Sequence, residues 1–348
     1  MADPLLDVSD LKIHFFTDEG VVKAVDGVDL TIERGKTLCL VGESGCGKSV
    51  TSRAFMQIIR RPGRIVSGEM LLRRKLDDGT EETIDVAKLD PKGDLIRDIR
   101  GKEIAMIFQE PMTSLSLMHT IGDQIMEMIQ LHTNATKQEA RERGIEMLQR
   151  VGIPRPERLI DEYPFRLSGG MRQRAMIAMA LSCSPKLLIA DEPTTALDVT
   201  TQAQILDLMR ELQSDYGMAL LFITHDLGIV AEIADDVAVM YLGRIVERSD
   251  VDTIFNEPKH PYTQALLHSI PKIAMKREDL EPIKGMVPSP FRRPPGCHFH
   301  PRCAQRFEPC DQIVPVNTRL DENHEVRCLL YEDVSARTVE ESKAVSHG

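Results

Sequence analysis

Eight consecutive residues, Gly42-Glu43-Ser44-Gly45-Cys46-Gly47-Lys48-Ser49, have the G-x-x-x-x-G-K-[ST] spacing of a loop that cradles phosphates. Its glycines let backbone N–H groups approach phosphate oxygens without side-chain clash. Lys48 is placed to reach β- and γ-phosphates, and the Ser49 hydroxyl to ligate Mg²⁺. The chemistry implied is that of a nucleotide's phosphates with Mg²⁺. Asp191 and Glu192 close an apolar run, Leu187-Leu188-Ile189-Ala190. Asp191 suits Mg²⁺ binding, and Glu192 suits polarising an attacking water. Gln109 follows Ile104–Phe108, and His225 follows Ala219–Thr224. Ser168-Gly169-Gly170 opens a helical stretch, a second place where phosphate meets bare N–H groups.

These residues need particular elements behind them. Thr37–Val41 reads as a short buried strand. The run from Lys48 through Val50 to about Arg60 reads as the helix whose positive N-terminal end faces the phosphates. The runs ending at Gln109, Asp191 and His225 read as three more buried strands. In a parallel sheet all four ends would meet on one edge, where open α/β sheets bind ligands.

Residues 6–32 alternate as an antiparallel β region with a turn at Asp18-Glu19-Gly20. Phe15 or Phe16 there is either a core residue or a ring that stacks on the base. Residues 62–100 read as an exposed β insertion, and residues 120–151 as two helices. Val237–Tyr241 and Ile245–Glu247 flank Gly243 as a hairpin.

Composition narrows the class. A formal net charge of -11, no Trp and five Tyr argue against a nucleic-acid surface. No apolar run approaches the ~18–20 residues that span a bilayer. Met1-Ala2-Asp3-Pro4 lacks the regions of a signal peptide, so a cytosolic chain is expected. Seven cysteines in that compartment do not suggest a disulfide framework. Cys39, Cys46 and Cys183 read as small packing residues. Cys297, Cys303, Cys310 and Cys328 form C-x₅-C-x₆-C-x₁₇-C. Four thiolates can close one site for Zn²⁺ or a [4Fe–4S] cluster, and unligated packing cysteines are the third reading. His298 and His300 read as loop residues beside them.

Taken together, the phosphate loop, Gln109, Leu167-Ser168-Gly169-Gly170, Asp191-Glu192, Ala196-Leu197-Asp198 and His225 occur in an order that resembles the ATP-binding-cassette family. The likeness covers roughly residues 6–260. It implies an α/β P-loop fold with a RecA-like core, an antiparallel β subdomain and a helical subdomain at about 110–165, together spanning 1–259. It also implies that two cassettes dimerise head to tail. Ser168, Gly169 and Gly170 would then hold the opposite cassette's nucleotide, and Asp198 would lie at the dimer contact. Glu192 would be the catalytic base, His225 would meet the γ-phosphate, and Gln109 would meet Mg²⁺ or the attacking water. Phe15 would stack on the base.

Phe108–Leu115, Ala190–Asp198 and His260-Pro261-Tyr262-Thr263 resemble, more narrowly, the ATPase subunits of dipeptide and oligopeptide importers. That likeness implies a second, different cassette, two transmembrane permease subunits, an extracytoplasmic solute-binding protein, and a place on the cytoplasmic face of the inner membrane. It also implies a Cys-containing extension over 260–335, in some relatives carrying an iron–sulfur cluster, and a flexible tail over 336–348. Other readings are an importer of nickel or oligosaccharide, a cassette ATPase acting on nucleic acid or ribosomes, and a redox-sensing regulatory protein.

Overall fold

The structure, a computed structural model, describes residues 3–76, 79–109, 114–195, 197–269 and 283–333. Two long strands, Pro4–Thr17 (β1) and Gly20–Glu33 (β2), pair antiparallel across the expected turn, with Ile13 opposite Val25. Thr37–Val41 (β3) follows, then the phosphate-loop helix Lys48–Ala54. That helix is shorter than its sequence suggests. The chain turns out of it at Gln57, in the left-handed region at φ 52, whose side chain donates to the Val86 carbonyl at 2.7 Å.

The segment expected as an exposed β insertion does form strands, and they join the first sheet. Gly63–Lys75 (β4) pairs with β1, and Glu81–Asp85 (β5) pairs with β4. The sheet order is β2-β1-β4-β5. Met70, Leu72 and Val86 bury themselves in its core although their neighbours are polar. Turn residues and charges dominate the local pattern, so the buried alternation is easy to miss.

A second sheet positions the chemistry. Ile104–Ile107 (β6), Leu187–Asp191 (β7) and Ala219–Thr224 (β8) are buried along their whole length, as is β3. Strands covered on both faces read as continuous apolar runs, which is why none of them alternates. Asp236–Tyr241 (β9) is parallel to β3, and Arg244–Asp250 (β10) turns back antiparallel around Leu242-Gly243. The parallel set runs β9-β3-β8-β7-β6. All four strand ends expected at the site therefore lie on one edge.

The helices Ile121–His132 and Lys137–Arg150 stand where periodicity placed them. Each opens with a reciprocal capping box, Thr120 with Asp123 and Thr136 with Glu139. Beyond residue 260 the chain stays attached to the large sheet. Thr318–Arg319 (β11) and Glu325–Val326 (β12) extend it, β12 pairing with β10. Under that joint Glu247 is fully buried and receives His324 Nε2 at 2.8 Å and the backbone N–H groups of Lys259 and His260. Burial alone would push its carboxyl up, but these bonds outweigh it and hold the group below the usual range. The tail at 336–348 lies outside the described residues, as do Glu110–Thr113 and Ala196.

Candidate active site

The phosphate loop leaves β3 and packs tightly on its surroundings. A Cβ on Gly42 would sit 2.2 Å from the Met240 carbonyl oxygen, and one on Gly47 2.5 Å from that of Ala24. Both have positive φ, at 150 and 113, so glycine is required on two counts. Lys48 is buried, and its Nζ donates to the carbonyls of Gly42 at 2.7 Å and Glu43 at 3.1 Å. Ser44 and Gly45 form the exposed tip, while Cys46 turns inward with a thiol pushed up by burial. Val50 packs its side chain on the core behind the loop.

Glu43 is tied to the C-terminal part of the chain. Its N–H donates to the Tyr262 hydroxyl at 2.9 Å, and its carboxylate pairs with Arg302 at 2.6 and 3.0 Å.

From the first turn of the phosphate-loop helix, Ser49 Oγ donates to Asp191 Oδ1, at the end of β7, at 2.9 Å. Asp191 Oδ2 is buried and has no hydrogen-bond partner among the described residues. Burial pushes this carboxyl up, against the pull of Ser49 and Arg53. An unpaired buried carboxylate oxygen beside a hydroxyl is a fit for a divalent cation. Mg²⁺ at such sites takes much of its shell from phosphate and water, so few protein ligands suffice.

Glu192 stands one residue on, with φ 49. A left-handed glutamate costs about 1–2 kcal/mol, the kind of strain that collects at functional positions. It turns the carboxylate into a cluster. Oε2 accepts from Gln109 Nε2 at 3.0 Å and Thr195 Oγ1 at 3.1 Å, and Oε1 lies 3.3 Å from His225 Nδ1. Four residues from three strand ends meet on one carboxylate. Thr195 had no signal in the sequence beyond lying three residues past Glu192.

Four expected site residues, Ser168, Gly169, Gly170 and Asp198, stand apart. Ser168 caps the helix Gly169–Leu181 by accepting from the Met171 N–H at 3.3 Å. Asp198 caps the helix Val199–Tyr216 through Thr201. Among the described residues no hydrogen bond or ion pair joins 168–170 or 198 to the phosphate loop. Ser168, Gly169 and Asp198 are exposed. Phe15 is half-buried on the core, whereas the exposed Phe16 ring carries the Arg64 guanidinium 4.0 Å from its centroid.

Residues 25–195 match the ABC transporter family, and residues 246–310 match the oligopeptide/dipeptide transporter C-terminal region. The chain is 51% identical over 334 residues to the oligopeptide transport ATP-binding protein AppD of Bacillus subtilis (strain 168), covering 95% of this chain and 98% of the relative. It is 46% identical over 324 residues to the dipeptide transport ATP-binding protein DppD of Escherichia coli (strain K12), covering 93% and 96%. The chain belongs to the ATP-binding subunits of ABC importers. Among solved structures, cbiO1 from Clostridium perfringens, part of the ABC transporter complex cbiONQ, superposes with TM-score 0.58 at 29% identity over 73% of this chain and 92% of that one. The ADP- and Pi-bound dimeric cassette MJ0796 shares the fold, at TM-score 0.60 and 24% identity over 71% and 98%. The cassette fold expected from the motifs is therefore the fold found.

In this ABC subunit the metal centre expected at the extension is not formed by the side chains as placed. Among the described residues no three His, Cys, Asp or Glu groups are arranged to hold a metal ion. Cys297, Cys303, Cys310 and Cys328 do line one small enclosed space. Burial pushes Cys297 up to about 12 and Cys328 up to about 11, with the neighbouring thiols adding to both. Protonated thiols are not ligands, and only a cation would reverse that balance.

Proposed function

We propose that this ABC ATPase energises peptide uptake through membrane permease subunits. The observation that carries its chemistry is the Glu192 carboxylate, held by Gln109, Thr195 and His225 one residue beyond Asp191. Glu192 orients the attacking water and accepts its proton. Gln109 and His225 keep that carboxylate in place and stand ready for water and γ-phosphate. Lys48 draws in the β- and γ-phosphates, and Phe15 supports the base. Ser49 and Asp191 hold Mg²⁺, which when bound neutralises charge developing on the phosphates.

The exposed cap Ser168-Gly169-Gly170 serves a nucleotide on a second cassette, with Asp198 at the contact between them. That second cassette is a different chain. Peptide cargo is supported by the relatives' names and by the match at 246–310. No helix among the described residues is long and apolar enough to cross a membrane. Two permease subunits provide that crossing, with a solute-binding protein on the far side and this chain on the cytoplasmic face. A groove of about 580 Å³, lined by Met56, Arg100, Met106, Phe108, Met128 and Leu131, supports permease docking between core and helical subdomain. The units are taken as 1–259 and 260–335, with the helical subdomain at about 110–165.

The test is ATP-driven uptake in vesicles carrying the assembled complex. Peptide uptake that needs ATP, and stops with Glu192→Gln, supports the reading. Uptake of nickel or oligosaccharide in its place changes the cargo. ATPase activity driven by nucleic acid without permease overturns the importer role.

For the extension, we infer a four-thiolate iron–sulfur centre. Its support is the single space shared by the four cysteines, in a loop-rich segment with little core of its own. Anaerobically prepared protein should contain about four iron and four sulfide per chain. One zinc and no iron moves the site to zinc, and no metal removes the centre.

A further inference from the structure

The phosphate loop is gripped from outside by the C-terminal extension. Arg302 is almost wholly buried, with 4% of its side chain exposed, and forms a two-pronged pair with Glu43, NH1 to Oε2 at 2.6 Å and NH2 to Oε1 at 3.0 Å. The separate Tyr262 hydroxyl accepts the Glu43 N–H at 2.9 Å. Tyr262 is itself fully buried, its ring 4.6 Å from Tyr241 and 5.3 Å from Phe299, centroid to centroid. Phe299 leads directly into the short helical turn His300–Arg302 that carries the arginine. The aromatic trio therefore sets both anchors against one residue of the loop.

We propose that Arg302 and Tyr262 are positioning residues for ATP binding. The two anchors fix the peptide between Gly42 and Glu43 and the side chain beyond it. The carbonyls of those two residues are the groups that receive Lys48 Nζ. Holding them in place holds the lysine in line for the phosphates, and fixes the Glu43 carbonyl that also receives the Cys46 N–H at 3.3 Å. Anion binding by backbone N–H groups depends on their being preset, because each loop dihedral frozen on binding costs entropy. A planar guanidinium on a carboxylate is suited to this, being directional and strong when desolvated. Neither residue approaches Glu192, Gln109 or His225 through any described hydrogen bond or ion pair. The anchors therefore act on nucleotide affinity, with the water-activating carboxylate left alone. The Arg302 turn also runs between Cys297 and Cys303, so the thiol cluster and the phosphate loop share one short piece of chain.

The proposal takes from the functional reading only that the ligand is ATP. Its test is ATP binding by the full chain and the kinetics of the assembled complex. Tyr262→Phe removes one oxygen and keeps the ring, and should raise the KM for ATP about 3- to 10-fold. Arg302→Gln should raise it about 10-fold or more, with kcat changed less than twofold and Arg302→Lys intermediate. Glu43→Arg combined with Arg302→Glu should recover part of what each single reversal loses. Thermal unfolding of each variant separates loss of fold from loss of affinity, and if Arg302→Gln does not fold, Tyr262→Phe carries the test. Folded variants with a KM within twofold of the parent, or with kcat lost at unchanged KM, overturn the proposal. A parent chain that binds no ATP removes the functional reading itself.

Discussion

Ser49 Oγ and Asp191 Oδ1 are joined by a 2.9 Å hydrogen bond between two non-adjacent strand units, while Asp191 Oδ2 has no partner among the described residues. The free oxygen defines where a cation would sit. Asp191→Asn keeps the shape and removes the charge. The Mg²⁺ concentration giving half-maximal ATPase activity should rise at least about 10-fold. Ser49→Ala strands the second carboxylate oxygen as well, and should lower stability of the nucleotide-free chain by about 1–3 kcal/mol. Mg²⁺ titrations and thermal unfolding check the two effects separately.

Glu192→Gln retains the hydrogen-bonding outline around Gln109 and His225 but removes the base. ATP binding should persist while turnover falls roughly 10²–10⁴-fold. Lys48→Ala should weaken binding and turnover together. Single-turnover assays on the assembled complex distinguish these outcomes, and near-normal turnover by Glu192→Gln would take the base role from it.

Gly169 offers a clean probe of assembly, since a Cβ there would meet nothing within 4 Å. Gly169→Asp should therefore leave the fold and ATP binding to the chain's own loop unchanged. A carboxylate facing a partner's phosphates is a like-charge pair costing several kcal/mol. ATP-induced association of cassettes should weaken by about 10²-fold, as read by sedimentation with and without ATP.

Acid should loosen the joint between the extension and the large sheet. His260 is buried and its imidazole is pushed down to about 4 by burial, against the pull of Glu247. Below its ordinary 6.5 the unfolded chain takes up a proton that the folded one does not, so stability falls as pH drops from 6.5 towards 4. Glu247 is depressed in the folded state, and its contribution is lost at still lower pH, as pH falls through that depressed value. His324, which faces Glu247 from the extension, completes the set. Backbone hydrogen exchange in the extension, corrected for the pH dependence of the intrinsic rate, should lose protection over this window before global unfolding. His260→Gln should flatten the upper part of the profile.

Much of the site was legible in the linear chain because each piece is local. A buried parallel strand is a short apolar run, and a polar residue at its end needs no distant information to be noticed. Gly42, Lys48, Ser49, Asp191, Glu192, Gln109 and His225 were all legible in this way, as were the two capped helices and the β9–β10 hairpin. What the residues alone left open is how separated edges and buried polar groups satisfy one another. The order β9-β3-β8-β7-β6 decides that three strand ends share the Glu192 carboxylate. The left-handed backbone at Glu192 is imposed by that convergence and has no sequence mark, since glutamate carries no preference for it. Residues 63–75 joined the first sheet because β1 had a free edge to pair, and 81–85 then paired with them. Glu43 is bound by Arg302 and Tyr262, more than 200 positions on, because their buried polar groups needed a partner. Such pairings are settled by desolvation in the assembled chain, a cost that no local pattern records.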